Sequence, residues 1–227
     1  MKHITLCADD FALHPAVDAA VVALAQAARL SATSCMTTAP RWPQAAQLLA
    51  PLRPGLQVGL HWNLTEGHGQ TAPRLVQVLA RAYSGQLRPA AMAESLHRQL
   101  DAFEQHAGTP PDFIDGHQHI HQLPGARAAL LHVLHQRYGT QAPWVRNTVP
   151  AQWGANKATL LALLGGWSLR RALARERLRH HRSFAGVYNF DAPTPAAYGA
   201  HMAQWLHDAQ SGTLFMCHPA NANVPGD

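Results

Sequence analysis

The sequence predicts an α/β fold in which seven parallel strands form a closed or nearly closed β/α barrel, a single domain over residues 1–227. Short apolar runs alternate with longer stretches of helical periodicity, which is the pattern of repeated βαβ units. Seven such units in 227 residues favour a barrel over an open sheet. Polar residues follow five of the predicted strands, where barrels and parallel sheets build their sites.

The strands are predicted from the apolar runs, several of which are bounded by Gly, Pro or polar residues. Pro54-Gly55 precedes the third strand and Pro110-Pro111 precedes the fourth. In chain order the predicted strands are Ile4–Ala8, Thr33–Thr38, Gln57–Trp62, Asp112–Gly116, Trp144–Arg146, Gly186–Phe190 and Thr213–Cys217.

The helices are predicted where apolar residues recur every three or four positions. The first is marked by Val17, Val21, Leu24 and Ala28, which lie on one helical face. The same spacing marks helices at Trp42–Leu52, Met92–Phe103, Leu130–Tyr138, Leu160–Arg182 (with a break at Gly165-Gly166) and Tyr198–Ala209. We interpret most of Asn63–Arg88 as a long loop that shapes substrate choice, because loops of that length are usually functional or disordered.

Composition favours a soluble protein of a reducing compartment. Hydrophobic residues make up 47% of the chain and charged residues only 14%, whereas His is unusually frequent, with 16 copies. The three cysteines are far apart and form no C-x-x-C pair, which argues against a disulfide framework or a thiolate zinc site. The chain contains no apolar run long enough to span a bilayer. We therefore expect a cytoplasmic protein without a transmembrane segment.

The formal net charge is +5, and much of it comes from the basic segment between Arg170 and Arg182. We interpret this segment as a solvated helix face, and a contact with an anion, a membrane or another subunit stays open as an alternative. No nucleic-acid-binding motif accompanies the charge, so we expect no nucleic acid partner. Homodimer formation also stays open.

Five strand ends carry residues suited to chemistry. In chain order these are Asp9-Asp10 after the first strand, His61 at the third, Asp115-Gly-His117-Gln-His119-Ile-His121 at the fourth, Arg146 at the fifth and His218 after the seventh. Because the carboxyl ends of parallel strands share one face, these side chains are predicted to converge. This convergence is the strongest indication of function in the sequence.

The pattern indicates a catalytic metal site. Two adjacent carboxylates after an apolar strand are costly unless a cation compensates them, although either could instead cap the following helix. Taken alone, His61 is more typical of a core or capping residue. One Asp with two His would leave coordination positions open for water and substrate, but spacing does not decide which of His117, His119 and His121 are ligands. Such donors suit Zn²⁺, Mn²⁺, Fe²⁺ or Co²⁺, and Mg²⁺ remains open.

The remaining residues suggest roles around such an ion. Asp9 is the candidate general base and His218 the candidate acid for a leaving amine. Arg146 would keep Asp9 ionised, since a nearby cation lowers a carboxyl pKa; a surface arginine is the alternative. Asp115 would orient a metal-bound His through the second ring nitrogen.

Four blocks resemble the signatures of YdjC-type carbohydrate deacetylases, which include chitooligosaccharide and hopanoid-associated deacetylases. These blocks are Ala-Asp9-Asp10-Phe, Gly-Leu-His61-Trp62-Asn63-Leu, Asp115-Gly-His117-Gln-His119-Ile-His121 and Cys-His218-Pro. The resemblance implies a distorted seven-stranded, TIM-like β/α barrel. It also implies an N-acetylated sugar substrate and one divalent ion, with Mg²⁺ or Zn²⁺ favoured.

The resemblance also implies roles for individual residues: Asp10, His61 and His117 as metal ligands, Asp9 as base and His218 as acid. Trp62 stands where the family usually has a smaller apolar residue or Phe, and it either stacks on a sugar or packs in the barrel. Ala12 and Ala220 stand in place of family glycines. Relatives usually continue beyond the position of Asp227, and the loss of a C-terminal segment of the domain stays open.

Three rival functions follow from the same residues. The first is another metal-dependent hydrolase of amides or phosphoesters, although amidohydrolase barrels usually place their H-x-H on the first strand. The second is a sugar-binding relative without turnover. The third is a basic nucleic-acid-binding module, which would need strongly salt-dependent DNA affinity.

Overall fold

Seven parallel strands form one sheet in the computed structural model, which describes residues 1–189, 192 and 194–222. The sheet order is β5-β4-β3-β2-β1-β7-β6, so β1 lies near the centre. The strands are β1 (Ile4–Phe11), β2 (Ala32–Cys35), β3 (Gln57–Trp62), β4 (Phe113–Gly116), β5 (Trp144–Val145), β6 (Ser183–Ala185) and β7 (Thr213–Cys217).

Eight α-helices of the described chain alternate with these strands. They are α1 (Pro15–Gln26), α2 (Trp42–Leu49), α3 (Leu75–Tyr83), α4 (Pro89–Ala107), α5 (Ala126–Tyr138), α6 (Lys157–Leu161), α7 (Trp167–Arg175) and α8 (Pro195–Asp208). Short 3₁₀ or π turns extend several of them, and one 3₁₀ turn, His117–Gln122, directly follows β4. None of the helices in the described residues is both long and apolar enough to cross a membrane.

The sheet curls until its two edge strands approach each other. Isolated parallel bridges join Val145, the last residue of β5, to His180 and join Pro150, after β5, to Phe184. The Phe184 amide donates to the Val149 carbonyl oxygen at 2.9 Å, which joins the β5 side to β6. The predicted distorted seven-stranded β/α barrel is therefore confirmed.

The core fills the space between the sheet and the helices. Leu96, Leu100, Leu130 and Leu134 are fully buried on α4 and α5, which pack against each other. Their spacing of four residues places each pair on one helical face. In addition, α4 packs against β3, which carries His61, and α5 packs against the turn that follows β4.

Three predicted elements were wrong by more than the few residues by which most of the other bounds differ. Residues 63–88 contain α3, whose inner face buries Val78 and Ala82, because helical spacing was obscured there by flanking Gly and Pro. The long predicted helix breaks beside Gly165, which has φ 125, but it ends at Arg175 rather than Arg182.

The sixth strand is Ser183–Ala185, before the predicted Gly186–Phe190, and Phe190 lies outside the described residues. Gly186 has φ 93, and a Cβ there would lie 2.1 Å from the Met216 carbonyl oxygen. The chain therefore leaves the sheet at this glycine. Only two residues of β6, Ser183 and Phe184, are buried, and one of them is polar. This run is too short and too polar to be predicted as a strand from the sequence.

Substitution of Gly59 in β3 tests how tightly the strands that carry the site are packed. An added Cβ would lie 2.5 Å from three ring carbons of Phe113, which is itself stacked on Trp144 with ring centroids 4.1 Å apart. We expect Gly59→Ala to lower the free energy of unfolding by about 1–3 kcal/mol through overpacking. Chemical denaturation measures this change.

Gly199 provides the matched control, because it lies in α8 with nothing within 4 Å of an added Cβ. Gly199→Ala is expected to raise stability by about 0.5–1 kcal/mol through helix propensity. Equal stabilities of the two variants would contradict the packing described for β3.

Candidate metal centre

The end of β1 delivers both adjacent carboxylates to one side of the barrel. Successive strand residues normally face opposite ways, but Asp10 has φ 65 and the register with β2 shifts between Ala8 and Phe11. As a result Asp9 and Asp10 both line the same cavity. Neither one caps α1, since His14 occupies the N-cap and its Nδ1 accepts from the Ala16 amide at 3.1 Å. The alternative of a helix cap is wrong.

Asp10, His61 and His117 form a compact donor cluster. Asp10 Oδ1 lies 3.2 Å from His61 Nε2 and 3.0 Å from His117 Nδ1. Burial alone would raise the pKa of Asp10, but hydrogen bonds with the two imidazoles hold it well below its usual range. His218 lies further away, with Nε2 3.8 Å from Asp10 Oδ2.

Asp115 fixes the orientation of His61. Its Oδ1 lies 2.6 Å from His61 Nδ1, so His61 Nε2 is the nitrogen that faces Asp10. Burial alone would lower the pKa of His61, but the carboxylates of Asp115, Asp10 and Asp9 raise it to about 10. The surroundings of His61 are thus strongly favourable to positive charge.

Arg146 is fully buried and lies between two carboxylates. Its Nη1 donates to Asp9 Oδ2 at 2.6 Å, and its Nη2 lies 2.5 Å from Asp9 Oδ1 and 2.6 Å from Asp115 Oδ2. Burial alone would raise the pKa of Asp9, but Arg146 holds it well below the usual range. Cys7, Asp9 and Asp115 form a second group of side chains that could hold a metal ion. In this group, however, the Arg146 guanidinium already neutralises the two acids.

The histidines after β4 separate in space. Gln118 and His119 have φ of 51 and 61 inside the 3₁₀ turn, so the segment is neither an extended strand nor an α-helix. His121 Nε2 bonds the Arg146 carbonyl oxygen at 3.0 Å, and burial lowers the pKa of His121 to about 4. The His119 ring lies edge-on to Phe184, with centroids 5.5 Å apart. Only His117 of the three joins Asp10 and His61 in the described cluster.

Trp62 and Asn63 have structural positions near the site. Trp62 is fully buried in the core and its Nε1 points toward Ser95 Oγ at 3.4 Å, so packing is the interpretation that its position supports. Asn63 organises the loop after β3, because its side chain donates to Thr38 Oγ1 and accepts from the Glu66 amide, both at 2.8 Å.

The candidate centre lies in a cavity of about 440 Å³, within the range of small-molecule sites. Its polar side consists of the acids and imidazoles described above, with His119 and His218 among them. The other lining residues are mostly apolar and were not identified in the sequence, because they come from α3, from α6 and the turn after it, from the chain after β6 and from β7. They are Leu75, Lys157, Leu160, Leu161, Leu164, Val187, Tyr188 and Met216.

Ser34 is a further residue of the site that was not predicted from the sequence. It lies in β2 beside β1, and its hydroxyl donates to Asp9 Oδ1 at 3.2 Å and lies 3.1 Å from His61 Nδ1. A lone serine inside a predicted strand gives no signal by itself. Ser34 could have been predicted to lie near the site only from the pairing of β2 with β1, the strand that carries the two acids.

The donor set of Asp10, His61 and His117 fits a divalent ion. One donor atom from each residue lies within 4.8 Å of the others. Two imidazoles and one carboxylate are ligands for first-row transition metals and leave coordination positions open. The Asp115–His61 pair matches the carboxylate that commonly orients a metal-binding imidazole. The cluster also faces the cavity rather than the closed core.

The fold and these residues define a β/α barrel with a candidate metal centre at the carboxyl ends of its strands. The sequence model of the YdjC-like protein family matches residues 3–225. The chain belongs to this family.

Curated relatives cover different shares of the chain. The mouse carbohydrate deacetylase is 27% identical over 98% of this chain and 79% of its own length. The human carbohydrate deacetylase is also 27% identical, over 98% of this chain and 76% of its own length. The Serratia marcescens chitooligosaccharide deacetylase is 34% identical over 54% of this chain and 52% of its own length. That last match therefore spans about half of the bacterial relative.

A crystal structure from Enterococcus faecalis V583, provisionally described as a cellobiose-phosphate cleavage protein, has the same fold. It superimposes with a TM-score of 0.68 at 17% identity, covering 98% of this chain and 82% of the other. At this identity the likeness concerns the fold alone.

Substitution of Arg146 tests how much the buried charge network contributes to stability. Arg146→Met would leave Asp9 and Asp115 buried without their cation, and we expect a loss of about 3–5 kcal/mol in unfolding free energy. Denaturant unfolding of metal-free protein measures the loss.

The control is Arg137→Met, since Arg137 also pairs with two acids, Asp101 at 2.6 Å and Glu104 at 2.8 Å, but lies nearer the surface. Its removal should cost on the order of 1 kcal/mol. Losses of similar size in both variants would contradict a special role for Arg146.

Proposed function

We propose that this protein is a metal-dependent hydrolase that removes the acetyl group from an N-acetylated amino sugar, its oligomer or its conjugate. The observation that carries the proposal is the Asp10–His61–His117 cluster beside Asp9 in a cavity of small-molecule size. Family membership and the names of the mouse, human and Serratia relatives support the same chemistry and substrate class.

Asp10, His61 and His117 would hold one divalent ion, with Mg²⁺ and Zn²⁺ as the leading candidates. Such an ion, when bound, polarises an amide carbonyl and lowers the pKa of water. Asp115 would keep His61 in the tautomer that presents Nε2, through the 2.6 Å contact at Nδ1. Ser34 would support the same orientation from β2.

Asp9 is the proposed general base. Its carboxylate accepts from both terminal nitrogens of Arg146 and from the Ser34 hydroxyl, and the Cys7 Sγ atom lies 3.8 Å from its Oδ1. Asp9 also lines the cavity. Asp9 would accept a proton from the water whose oxygen bonds to the acetyl carbon. Arg146 keeps this carboxylate ionised and prevents it from rotating.

His218 is the proposed general acid. It follows β7, lines the cavity and lies 3.8 Å from Asp10 Oδ2, whereas His117 lies near Oδ1 of the same carboxylate. As the carbon–nitrogen bond breaks, a protonated His218 would donate its proton to the departing amine, leaving acetate and a free amino sugar. Hydrolysis of an unactivated amide is assisted by both a base and an acid of this kind.

The reaction class can be tested by amine release from N-acetylglucosamine and its oligomers. Metal-stripped protein is assayed alone and with Zn²⁺, Mn²⁺, Co²⁺ or Mg²⁺ restored in turn. We expect release only with metal. Tight stoichiometric metal binding without release from any sugar would instead favour another amide substrate or a binding protein, and absence of metal binding would contradict the mechanism.

His117→Ala separates the proposed ligand from its neighbours. We expect the variant to lose stoichiometric metal binding and to keep its fold, because the His117 side chain lies partly exposed at the cavity. Metal content after dialysis and circular dichroism measure the two properties. The control is His119→Ala, which removes an imidazole that lies against Phe184 and should keep one ion per chain. The reverse pattern would assign the ligand to His119.

Asp9→Asn tests the base separately from the ligands. The variant retains an oxygen that can accept from Arg146 but loses the basic carboxylate, so we expect one ion per chain and turnover lowered by about 10²–10⁴-fold. Metal content and amine release are measured on the same sample. Undiminished turnover would remove Asp9 as the base.

A further inference from the structure

Four large apolar side chains are exposed close together around α6 and α7. Trp153 is 51% exposed, Leu160 55%, Leu163 68% and Trp167 45%; we call these four residues the apolar ridge. The Trp153 and Trp167 rings contact edge to face, with centroids 5.9 Å apart. Leu160 and Leu163 line one shallow surface pocket with Gly154, the neighbour of Trp153, and Trp167 begins α7 directly after the break at Gly165.

The ridge is held rigidly from behind. Ala162, Gly165, Gly166 and Leu169 are buried on the inner side of the same segment. The Gln122 side chain donates to the Leu161 carbonyl oxygen at 3.0 Å, which ties the segment to the turn after β4. Exposure of the ridge is therefore imposed by the fold, and contiguous exposed apolar surface of this kind typically marks an interaction site.

Positive charge borders the ridge. The Arg170 guanidinium lies over the Trp167 ring at 5.7 Å from its centroid, and Arg171 and Arg175 follow Trp167 at successive turns of the exposed face of α7. Between residues 153 and 182 the sequence contains six Arg and one Lys against the single acid Glu176. The partner of this surface should therefore be negatively charged as well as apolar.

The ridge adjoins the mouth of the catalytic cavity. Leu160 belongs to both, since it is half-exposed and also lines the cavity. Leu161 and Leu164 continue the cavity wall from the inner side of the same segment. Whatever binds the ridge therefore lies next to the entrance of the site.

We propose that the apolar ridge and its arginines dock this protein on the surface of an anionic lipid bilayer. Trp and Leu side chains beside a basic helical face are the composition of interfacial membrane-binding segments. Anionic headgroups attract the adjacent arginines, each of which strengthens binding about fivefold. A second copy of the chain fits less well, because a two-fold contact would bring the same arginine-rich surface of each copy together. This docking does not depend on the proposed hydrolysis.

Vesicle co-sedimentation of the full chain tests the proposal. Vesicles of phosphatidylcholine alone are compared with vesicles that also contain phosphatidylglycerol, at low and high salt. We expect binding to the anionic vesicles that weakens with salt, since surface electrostatics are screened, and little binding to phosphatidylcholine alone. Equal or absent binding to both vesicle types would overturn the proposal.

Matched variants locate the surface. Leu163→Ser should weaken vesicle binding about tenfold through lost apolar burial, whereas Leu48→Ser removes a leucine of 47% exposure on α2 and should change nothing. Arg170→Gln with Arg171→Gln should weaken binding about 25-fold, whereas Arg29→Gln with Arg98→Gln removes two exposed arginines elsewhere and should have a much smaller effect.

Two results would contradict this assignment of the surface. One is wild-type vesicle binding by the Leu163 and Arg170/Arg171 variants. The other is a wild-type dimer in sedimentation velocity that Leu163→Ser dissociates, without any vesicle binding, which would make a second copy the occupant. Because vesicle binding is read on the protein itself, loss of hydrolysis does not affect either result.

Discussion

The buried guanidinium of Arg146 is the interaction on which the rest of the site depends. It compensates two buried carboxylates, Asp9 from β1 and Asp115 from β4. Burial disfavours the charge of Asp9, and Arg146 offsets this and holds the pKa of Asp9 below its usual range. The other oxygen of Asp115 orients His61, so one cation links the proposed base to a proposed metal ligand. The network therefore links the position of the proposed base to that of a proposed metal ligand.

Backbone strain is concentrated at the same site. Asp10, Ala12, Gln118 and His119 all have φ between 51 and 75, a conformation that costs roughly 1–2 kcal/mol for a residue other than glycine. At Asp10 this conformation brings the second carboxylate round to the cavity. At Gln118 and His119 it turns the chain so that His117 alone reaches the cluster. Strain of this kind persists only where surrounding packing imposes it, and it is typical of functional sites.

Sequence patterns predicted the barrel and the convergence of its polar residues because both follow from periodicity. Strands β3 and β7 were predicted with their observed bounds, and the acids and imidazoles do meet at one face. The patterns could not separate His117 from His119 and His121, since a left-handed turn leaves no periodic signal. They also missed Ser34 and the leucine wall of the cavity, which only tertiary packing brings to the site. The α3 helix was hidden for a similar reason, because Gly and Pro around it suggested a loop.

We propose that one divalent ion binds Asp10, His61 and His117, whereas Arg146 is the cation that neutralises the neighbouring acids. Anomalous diffraction from crystals of the zinc-loaded protein can locate this ion. We expect one strong anomalous peak per chain within bonding distance of Asp10, His61 and His117. A peak instead among Cys7, Asp9 and Asp115, or no ordered ion at either position, would contradict it.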